Sequence, residues 1–414
     1  MSVELYKCCP GICPLCHPFL VTIILGLRIV TMSSGITPII LDVDGDVRLC
    51  IPGKRNEEAS SDQKDNSGAG SVGSSDGGTE VELVVSSKVL CVVSPVFKAM
   101  LKGYFKEATE LSKMTALSQQ YTLKLHEDDP EAATIMFALF HHEHDHIPSA
   151  PSTRCLEELA FFCDKYQCTH VMKHCGTNWL RDPKYNRSKH NLKRWDVEIV
   201  RLCRCLVFSY VFDLAEDFTR FAWSILLSHK GPICGPDTAA KLLIDHPLLR
   251  HEIARRLDAK RFELCQIYHA ALMNPMTRDW KSLSGGCVRA GKAVGDYLKW
   301  LRHLEILEHD LEFSSHSFWH LLDKPLSGSD TPISTEHYPC VIYGCPCRSD
   351  IKTPNNLDLR TPLRAAIHRI QFHEPDVLCL DCIKTNERST MDETCRIMHS
   401  FKGRALSDTK VLGR

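Results

Sequence analysis

Apolar positions between residues 85 and 101 recur with the spacing of an α-helix. They fall on one helical face at Val89, Leu90, Val93, Phe97, Met100 and Leu101. Pro95 interrupts the pattern, because proline has no N–H and disfavours a helical residue before it. The pattern therefore predicts two short helices that meet at Ser94-Pro95. A hydroxyl of Ser86 or Ser87 is predicted to cap the first of them.

Alternating apolar positions predict strands on both sides of this helical hairpin. Residues 39–41 and 47–51 flank Asp44-Gly45, a dipeptide typical of a β-hairpin turn. Two more strands are predicted over residues 80–85 and 120–125. The acidic residues 42–46 lack the glycine and glutamate spacing of an EF-hand loop, which argues against calcium.

Helical patterns dominate the rest of the chain. Glu127-Asp-Asp-Pro130-Glu predicts a helix start, since acidic residues and proline suit a first turn. Its predicted apolar face consists of Ala133, Met136, Phe137 and Phe140, and another helix is predicted from residue 156 to Tyr166. Apolar residues from 207 to 225 predict one long amphipathic helix. Further helices are predicted over residues 242–257, with Asp237 as cap, and over 262–273, 288–308 and 361–371.

The first third of the chain carries six motifs in a fixed order. They are Asp44-Gly-Asp-Val47, Val85-Ser-Ser-Lys-Val-Leu90, Ser94-Pro-Val-Phe-Lys-Ala-Met-Leu101, Phe105-Lys-Glu-Ala108, Leu125-His-Glu-Asp-Asp-Pro-Glu131 and Cys163-Asp-Lys-Tyr-Gln-Cys168. With the elements between them, residues 36–180 resemble a BTB/POZ domain of the form common in filamentous fungi. The resemblance implies an α+β fold, in which helices flank a small sheet, and a non-enzymatic function in protein–protein interaction.

The resemblance also implies particular interaction residues. Dimeric members line a charged pocket with an aspartate, matched here by Asp46, and a base, which is replaced here by Ser87 with Lys88 beside it. Many members dock a cullin scaffold of ubiquitin ligases through the helix that corresponds to residues 128–142. The implied partners are therefore a second copy of the chain or a cullin scaffold. The implied core and surface residues are Asp46, Ser87, Lys88, Ser94, Phe97, Met100, Phe105, Asp129 and Tyr166.

Two features of this region invite a catalytic or metal interpretation. Ser94 lacks a glycine elbow and a partnered histidine, which argues against a nucleophile. In the histidine-rich residues 141–146, His142 and His146 could share a helix face as zinc ligands. The segment does not form His-Glu-x-x-His, however, and Pro148 ends the helix beside it. A solvated helix end is the favoured interpretation.

Cysteines suggest a different chemistry near the end of the chain. The 414 residues include 21 cysteines without a small repeated framework, which favours reduced thiols over a disulfide scaffold. Residues 335–397 form a small Cys/His-containing region in which Cys345, Cys347, Cys379 and Cys382 are the candidate ligands of a structural zinc ion. Unligated thiols are the favoured interpretation, and structural zinc is the alternative. The region also contains Cys340, His368 as a substitute ligand, His373 and, farther on, Cys395.

The remaining segments complete the predicted organisation. Residues 1–35 are interpreted as a leader, with Met32 as an alternative start of translation, and residues 54–78 as a disordered insert. An all-α region is predicted over 195–325 and a flexible tail over 398–414.

A net charge of −1 gives no basic field for nucleic acid. The apolar run at residues 19–27 is too short to span a membrane, so no stable membrane insertion is expected. The expected location is the cytoplasm, the nucleus or both. The leading hypothesis is an interaction adaptor, and the alternative is a zinc-dependent regulatory protein that uses the C-terminal cysteines.

Overall fold

The computed structural model describes residues 37–53, 80–185, 199–236, 238–283, 288–306, 316–327, 360–371, 378–385 and 395–397. Within these residues the protein is α+β, with a four-stranded mixed sheet and 14 α-helices. The predicted leader, the insert at 54–78, Asp237 and the tail at 398–414 lie outside the described residues.

The sheet contains β1 (Ile39–Ile40), β2 (Val47–Ile51), β3 (Val81–Val85) and β4 (Tyr121–Lys124) in the order β1-β3-β2-β4. β2 pairs antiparallel with β3 and parallel with β4. The predicted hairpin of residues 39–41 with 47–51 is wrong, because β1 pairs in parallel with β3. Both edges of β2 are already occupied by β3 and β4, so β1 can join only at the outer edge of β3.

A turn does form at Asp44-Gly45, although the strands beside it do not pair. The Gly45 N–H donates to the carbonyl of Asp42 at 3.0 Å. A Cβ at Gly45 would lie 2.8 Å from Cγ1 of Val84, which is too close for two carbon atoms. Glycine therefore lets the turn pass directly over β3.

The predicted helical hairpin is confirmed as α1 (Ser87–Val93) and α2 (Pro95–Lys102), with α3 (Lys106–Ala116) following. The predicted serine cap of α1 is wrong: Ser86 occupies the N-cap position, but its side chain makes no capping bond. The carboxylate of Asp46 accepts from the Ser87 N–H at 2.7 Å and from its hydroxyl at 2.6 Å instead. A residue from the turn before β2 thus performs the capping.

Three helices follow the sheet and the hairpin: α4 (Pro130–His141), α5 (Thr153–Tyr166) and α6 (Thr169–Leu180), of which α6 packs on the other two. The predicted start of α4 is confirmed, and Asp129 caps it by accepting from the Ala132 N–H at 3.0 Å. The predicted apolar face of α4 is buried. α4 contacts α1, β3, α5 and α6, so it lies at the centre of this part of the fold.

The long helix predicted over residues 207–225 is wrong, because the chain breaks it into α7 (Ile199–Val211) and α8 (Ala215–Ser228). Asp213 has a φ of 59°, and the Leu214 N–H donates back to the Ser209 carbonyl at 2.9 Å. This is the hydrogen bonding of a helix C-terminus closed by a left-handed residue. The predicted apolar stripe is largely buried on both sides of the corner, so the periodicity continues although the helix does not.

Six more helices follow: α9 (Lys241–Asp245), α10 (Glu252–Leu283), α11 (Val288–His303), α12 (Phe318–Ser327), α13 (Arg360–Gln371) and α14 (Leu380–Thr385). The predicted helix over 242–257 is divided between α9 and α10, and the helix predicted over 262–273 is the continuation of α10. α13 confirms the prediction for 361–371. Helix α11 ends earlier than predicted, and Glu305 beyond it has a φ of 54°.

Buried apolar residues of the described segments form one cluster, which extends from the sheet through α5 and α7 to α14. Polar contacts reinforce the junction of α5 with the later helices. Arg204 Nε lies 2.7 Å from Glu157 Oε2, and His246 Nε2 lies 3.3 Å from Glu157 Oε1. The His246 ring also stacks on Phe161 with 5.0 Å between centroids. In the described part of the chain, no helix is both long and apolar enough to cross a membrane.

Candidate functional sites

Asp46 and Ser87 come together as the family resemblance implies, but they form a neutral–acid pair. Asp46 is half-buried and both of its carboxylate oxygens accept hydrogen bonds from Ser87. Lys88, the adjacent base, is exposed. The position therefore stabilises the start of α1, and its carboxylate is committed to that contact.

Ser94 is fully buried and holds two elements together. Its hydroxyl oxygen accepts from the Phe97 N–H at 3.1 Å, which caps α2, and its O–H donates to the Tyr166 carbonyl at 2.6 Å. The Phe97 ring stacks on Tyr166 with centroids 4.3 Å apart and an interplanar angle of 8°. Ser94, Phe97 and Tyr166 are therefore packing residues of the hairpin core.

The Tyr166 hydroxyl extends this contact into a buried polar network. It donates to Asp128 Oδ2 at 2.7 Å, and Lys165 Nζ lies 3.1 Å from the same oxygen. Burial raises the pKa of the Tyr166 phenol, and the Asp128 carboxylate raises it further. The phenol consequently remains a proton donor to Asp128.

Replacing Ser94 with alanine is expected to lower the free energy of unfolding by about 1–2 kcal/mol, because it removes a helix cap and leaves the buried Tyr166 carbonyl without its donor. Chemical denaturation followed by circular dichroism measures the change. Ser152→Ala is the matched control: Ser152 caps α5 through the Cys155 N–H at 3.0 Å and is exposed. An equal loss in the two variants would show that the Tyr166 contact contributes nothing.

The histidine-rich segment does not form the helical pair considered from sequence. α4 ends at His141, and His142 has a φ of 61°, so His142 and His146 share no helix face. His141 is a structural residue: its Nε2 accepts from the Ser86 N–H at 3.0 Å, and its Nδ1 lies 2.8 Å from the Phe137 carbonyl. Residues 142–146 are exposed, in agreement with a solvated helix end.

Apolar side chains are exposed where α2 meets α3. Tyr104 is fully exposed and Phe105 is 57% exposed, while Met100 and Asp129 are half-buried. Tyr104 and Phe105 are adjacent in the sequence, and exposed apolar patches are typical of surfaces that bind other molecules. We call Tyr104 and Phe105 the aromatic pair.

A second candidate site lies at the C-terminal end of the described chain. Cys379 immediately precedes α14, Cys382 lies in its first turn, and Cys395 belongs to the segment 395–397. Their sulfur atoms all lie within 4.8 Å of one another, and the Cys382 and Cys395 sulfurs are 3.6 Å apart. Zn–S bonds of 2.3 Å in a tetrahedron would place sulfur atoms about 3.8 Å apart. The three thiols therefore fit one metal ion.

The predicted ligand set is only partly reproduced. Cys379 and Cys382 are together, whereas Cys345 and Cys347 lie outside the described residues and His368 is exposed on α13. Cys395 was not among the four predicted ligands. Burial raises the pKa of the Cys379 and Cys395 thiols, so thiolate formation there requires a compensating charge such as a metal ion.

Charged groups next to this cluster tie it to the corner between α7 and α8. Arg396 lies 2.7 Å from Asp213 Oδ2 and 2.6 Å from Asp381 Oδ1, and Lys384 Nζ lies 2.9 Å from Asp213 Oδ1. Burial acts to raise the pKa of Asp213, but hydrogen bonds from Arg396 and Lys384 outweigh it and hold that pKa well below its ordinary value. Asp213 therefore remains charged and binds both cations.

Comparison of the chain with protein-family models, with curated proteins and with solved structures finds no match in any of the three. The α+β class and the thiol cluster are therefore described from this chain alone.

Proposed function

We propose that residues 36–180 form a BTB/POZ-type module and that the chain acts as a non-enzymatic adaptor in protein–protein interaction. One observation carries the proposal. The six motifs that resemble the family fall on or beside elements in the order β2, β3, α1, α2, α3, α4 and α5, with β4 directly before the fifth motif and the hairpin break at Ser94-Pro95. The hairpin packs on α5 through Phe97 and Tyr166, which supports a folded module around those motifs.

The aromatic pair supports binding of a protein partner by this module. Tyr104 and Phe105 follow the hairpin directly and offer apolar area to a partner surface. The expected partners are a second copy of the chain or a cullin-type scaffold, for which the chain would serve as substrate adaptor in the cytoplasm or the nucleus. The engagement of Asp46 by Ser87 favours a scaffold partner over the charged-pocket type of dimer.

Partner binding is tested with the full chain by light scattering after size exclusion and by pull-down against a cullin from the same source. Phe105→Ser is expected to reduce the partner captured about tenfold or more, as truncation of an interface anchor does. Phe262→Ser is the control, because Phe262 is also an exposed phenylalanine but lies on α10. A wild-type chain that is strictly monomeric and captures no partner would contradict the proposal.

A zinc-dependent regulatory protein is the second candidate function, and the three-thiol cluster is the observation that favours it. Zinc bound by Cys379, Cys382 and Cys395 would cross-link the segments that carry them and would have a structural role. Elemental analysis of the purified full chain is expected to find about one zinc ion per chain. Cys379→Ser should remove it, whereas Cys234→Ser, at an exposed cysteine outside the cluster, should not. A metal-free wild-type chain would rule out this candidate.

A further inference from the structure

We infer that zinc at Cys379, Cys382 and Cys395 acts as a clasp, which holds residues 395–397 on the helical region at the corner between α7 and α8. The inference rests on the zinc-binding function proposed above and adds what zinc loading controls. Two separate sets of contacts support it: the thiols on one side and the Arg396 ion pairs on the other.

The thiols join two short segments that are 13 residues apart in the chain. Cys379 immediately precedes α14, Cys382 lies in its first turn, and Cys395 belongs to the segment 395–397. Three thiolates occupy three of the four positions of a tetrahedral zinc ion, and the fourth is left for solvent or for a ligand outside the described residues. Zinc would therefore fix the segment to α14 through Cys395.

Helix α14 is itself attached to the helical region through backbone atoms. The Thr219 hydroxyl of α8 donates to the Leu378 carbonyl at 2.7 Å in a buried position. Arg250 donates to the Ile383 carbonyl at 2.6 Å, near the other end of α14. A metal ion bound to α14 is thus bound to an anchored element.

Arg396 makes the second connection directly. Its guanidinium donates to the Asp213 carbonyl at 3.0 Å as well as to the Asp213 carboxylate, and its backbone N–H donates to Asp381 Oδ2 at 2.8 Å. Asp213 is the left-handed residue of the α7–α8 corner. Arg396 therefore binds the α7–α8 corner and α14 at the same time.

The ion pairs alone form a weak attachment. Arg396 keeps 41% of its side chain in solvent and Asp213 keeps 37%, and ion pairs with this exposure contribute little because water and salt screen them. The metal–thiolate bonds are much stronger. Zinc loading, rather than the charges, should therefore determine whether the segment stays in place.

Limited trypsin digestion of the full chain tests the clasp, because trypsin cleaves after Arg396 and the cut can be followed by mass spectrometry. With free Zn²⁺ at about 100 times its dissociation constant, the open population and hence cleavage should fall about 100-fold relative to the chelator-treated chain. Cys395→Ser should abolish this zinc dependence. Cys234→Ser, outside the cluster, should retain it in full.

Asp213→Asn separates the two sides of the clasp. Asparagine tolerates the left-handed conformation, so the corner persists while the charge is lost. This variant should bind zinc in the wild-type ratio and should lose only a small part of the zinc protection at Arg396, because the exposed ion pairs contribute little. A chain that binds one zinc ion but is cleaved at the same rate with and without it would overturn the clasp and leave the zinc site standing. A chain that binds no zinc would overturn both.

Discussion

Replacing Phe97 with alanine is expected to lower the free energy of unfolding by about 3–5 kcal/mol, the largest loss at any position considered. The Phe97 side chain is fully buried in the hairpin core. Its ring lies 4.3 Å from that of Tyr166 and 5.8 Å from that of Phe137, so alanine would leave a cavity between α2, α4 and α5. Neighbouring rings in close packing can fill only part of that space.

Urea denaturation of the full chain, followed by tryptophan fluorescence and circular dichroism, measures this loss. Phe105→Ala is the matched control, since Phe105 is a phenylalanine a few residues away whose ring is largely exposed. It should change stability by less than about 0.5 kcal/mol. If Phe97→Ala unfolds completely, Phe97→Leu leaves a smaller cavity and should lose more stability than the control but less than Phe97→Ala. Equal stability of Phe97→Ala and Phe105→Ala would show that the hairpin is not the packing centre.

Local signals were enough to predict the hairpin and the start of α4. Pro95 forces a break wherever the chain folds, because it lacks an N–H. Asp129 and Pro130 stand in the N-cap and first-turn positions that both residues prefer, and the structure places them there. These predictions succeeded because the physical cause lies within a few residues of its effect.

Effects from distant residues were not predicted. The cap of α1 comes from Asp46, 41 residues before Ser87, and no pattern near Ser87 indicates it. β1 joins β3 because β2 has no free edge, a consequence of the whole sheet. Asp213 ends α7 although the apolar periodicity continues across it, since periodicity reports which face is buried and not whether the backbone is continuous.

The thiol site combines a local sequence signal with a contact between distant residues. Cys379 and Cys382 have the Cys-x-x-Cys spacing that a turn presents to one ion, so the sequence indicated them. Cys395 lies next to them on a short segment whose Arg396 also binds Asp213, which is 183 residues away. Cys395 is the next cysteine after the pair, so the sequence offered a signal for it. The contact of the neighbouring Arg396 with Asp213 could be seen only in the fold.

Replacing Glu157 with glutamine is expected to lower the free energy of unfolding by about 2–3 kcal/mol, because it breaks the charged contact that joins α5 to α7 and to the residue after α9. Glu157 is 12% exposed and His246 only 2%, so solvent cannot readily replace the carboxylate. The Arg204 side chain is 25% exposed, so the expected loss of unfolding free energy is smaller than for a fully buried ion pair.

The pH dependence of stability separates this contact from a simple packing effect. Burial acts to raise the pKa of Glu157, but His246 and Arg204 outweigh it and lower the pKa below its ordinary value. The folded state thus binds this proton less readily than the unfolded state. The stabilising contribution of the Glu157 carboxylate is complete when the pH lies above its pKa in the unfolded state. That contribution is lost as the pH falls through its lower pKa in the folded state. Glu157→Gln should remove that part of the acid sensitivity.

Asp217→Asn is the matched control, because Asp217 pairs with Arg220 at 2.5 Å within α8 and is 15% exposed. Burial raises the pKa of Asp217 in the folded state. At a pH above its ordinary pKa, ionisation of Asp217 therefore opposes folding. Because the charged form of Asp217 is the one that folding disfavours, its removal should not lower the stability at neutral pH. Denaturation curves between pH 3 and pH 7 compare the two variants. If both lose the same stability and the same pH dependence, the α5–α7 junction depends on apolar packing, and the Glu157 carboxylate does not couple the two parts of the chain.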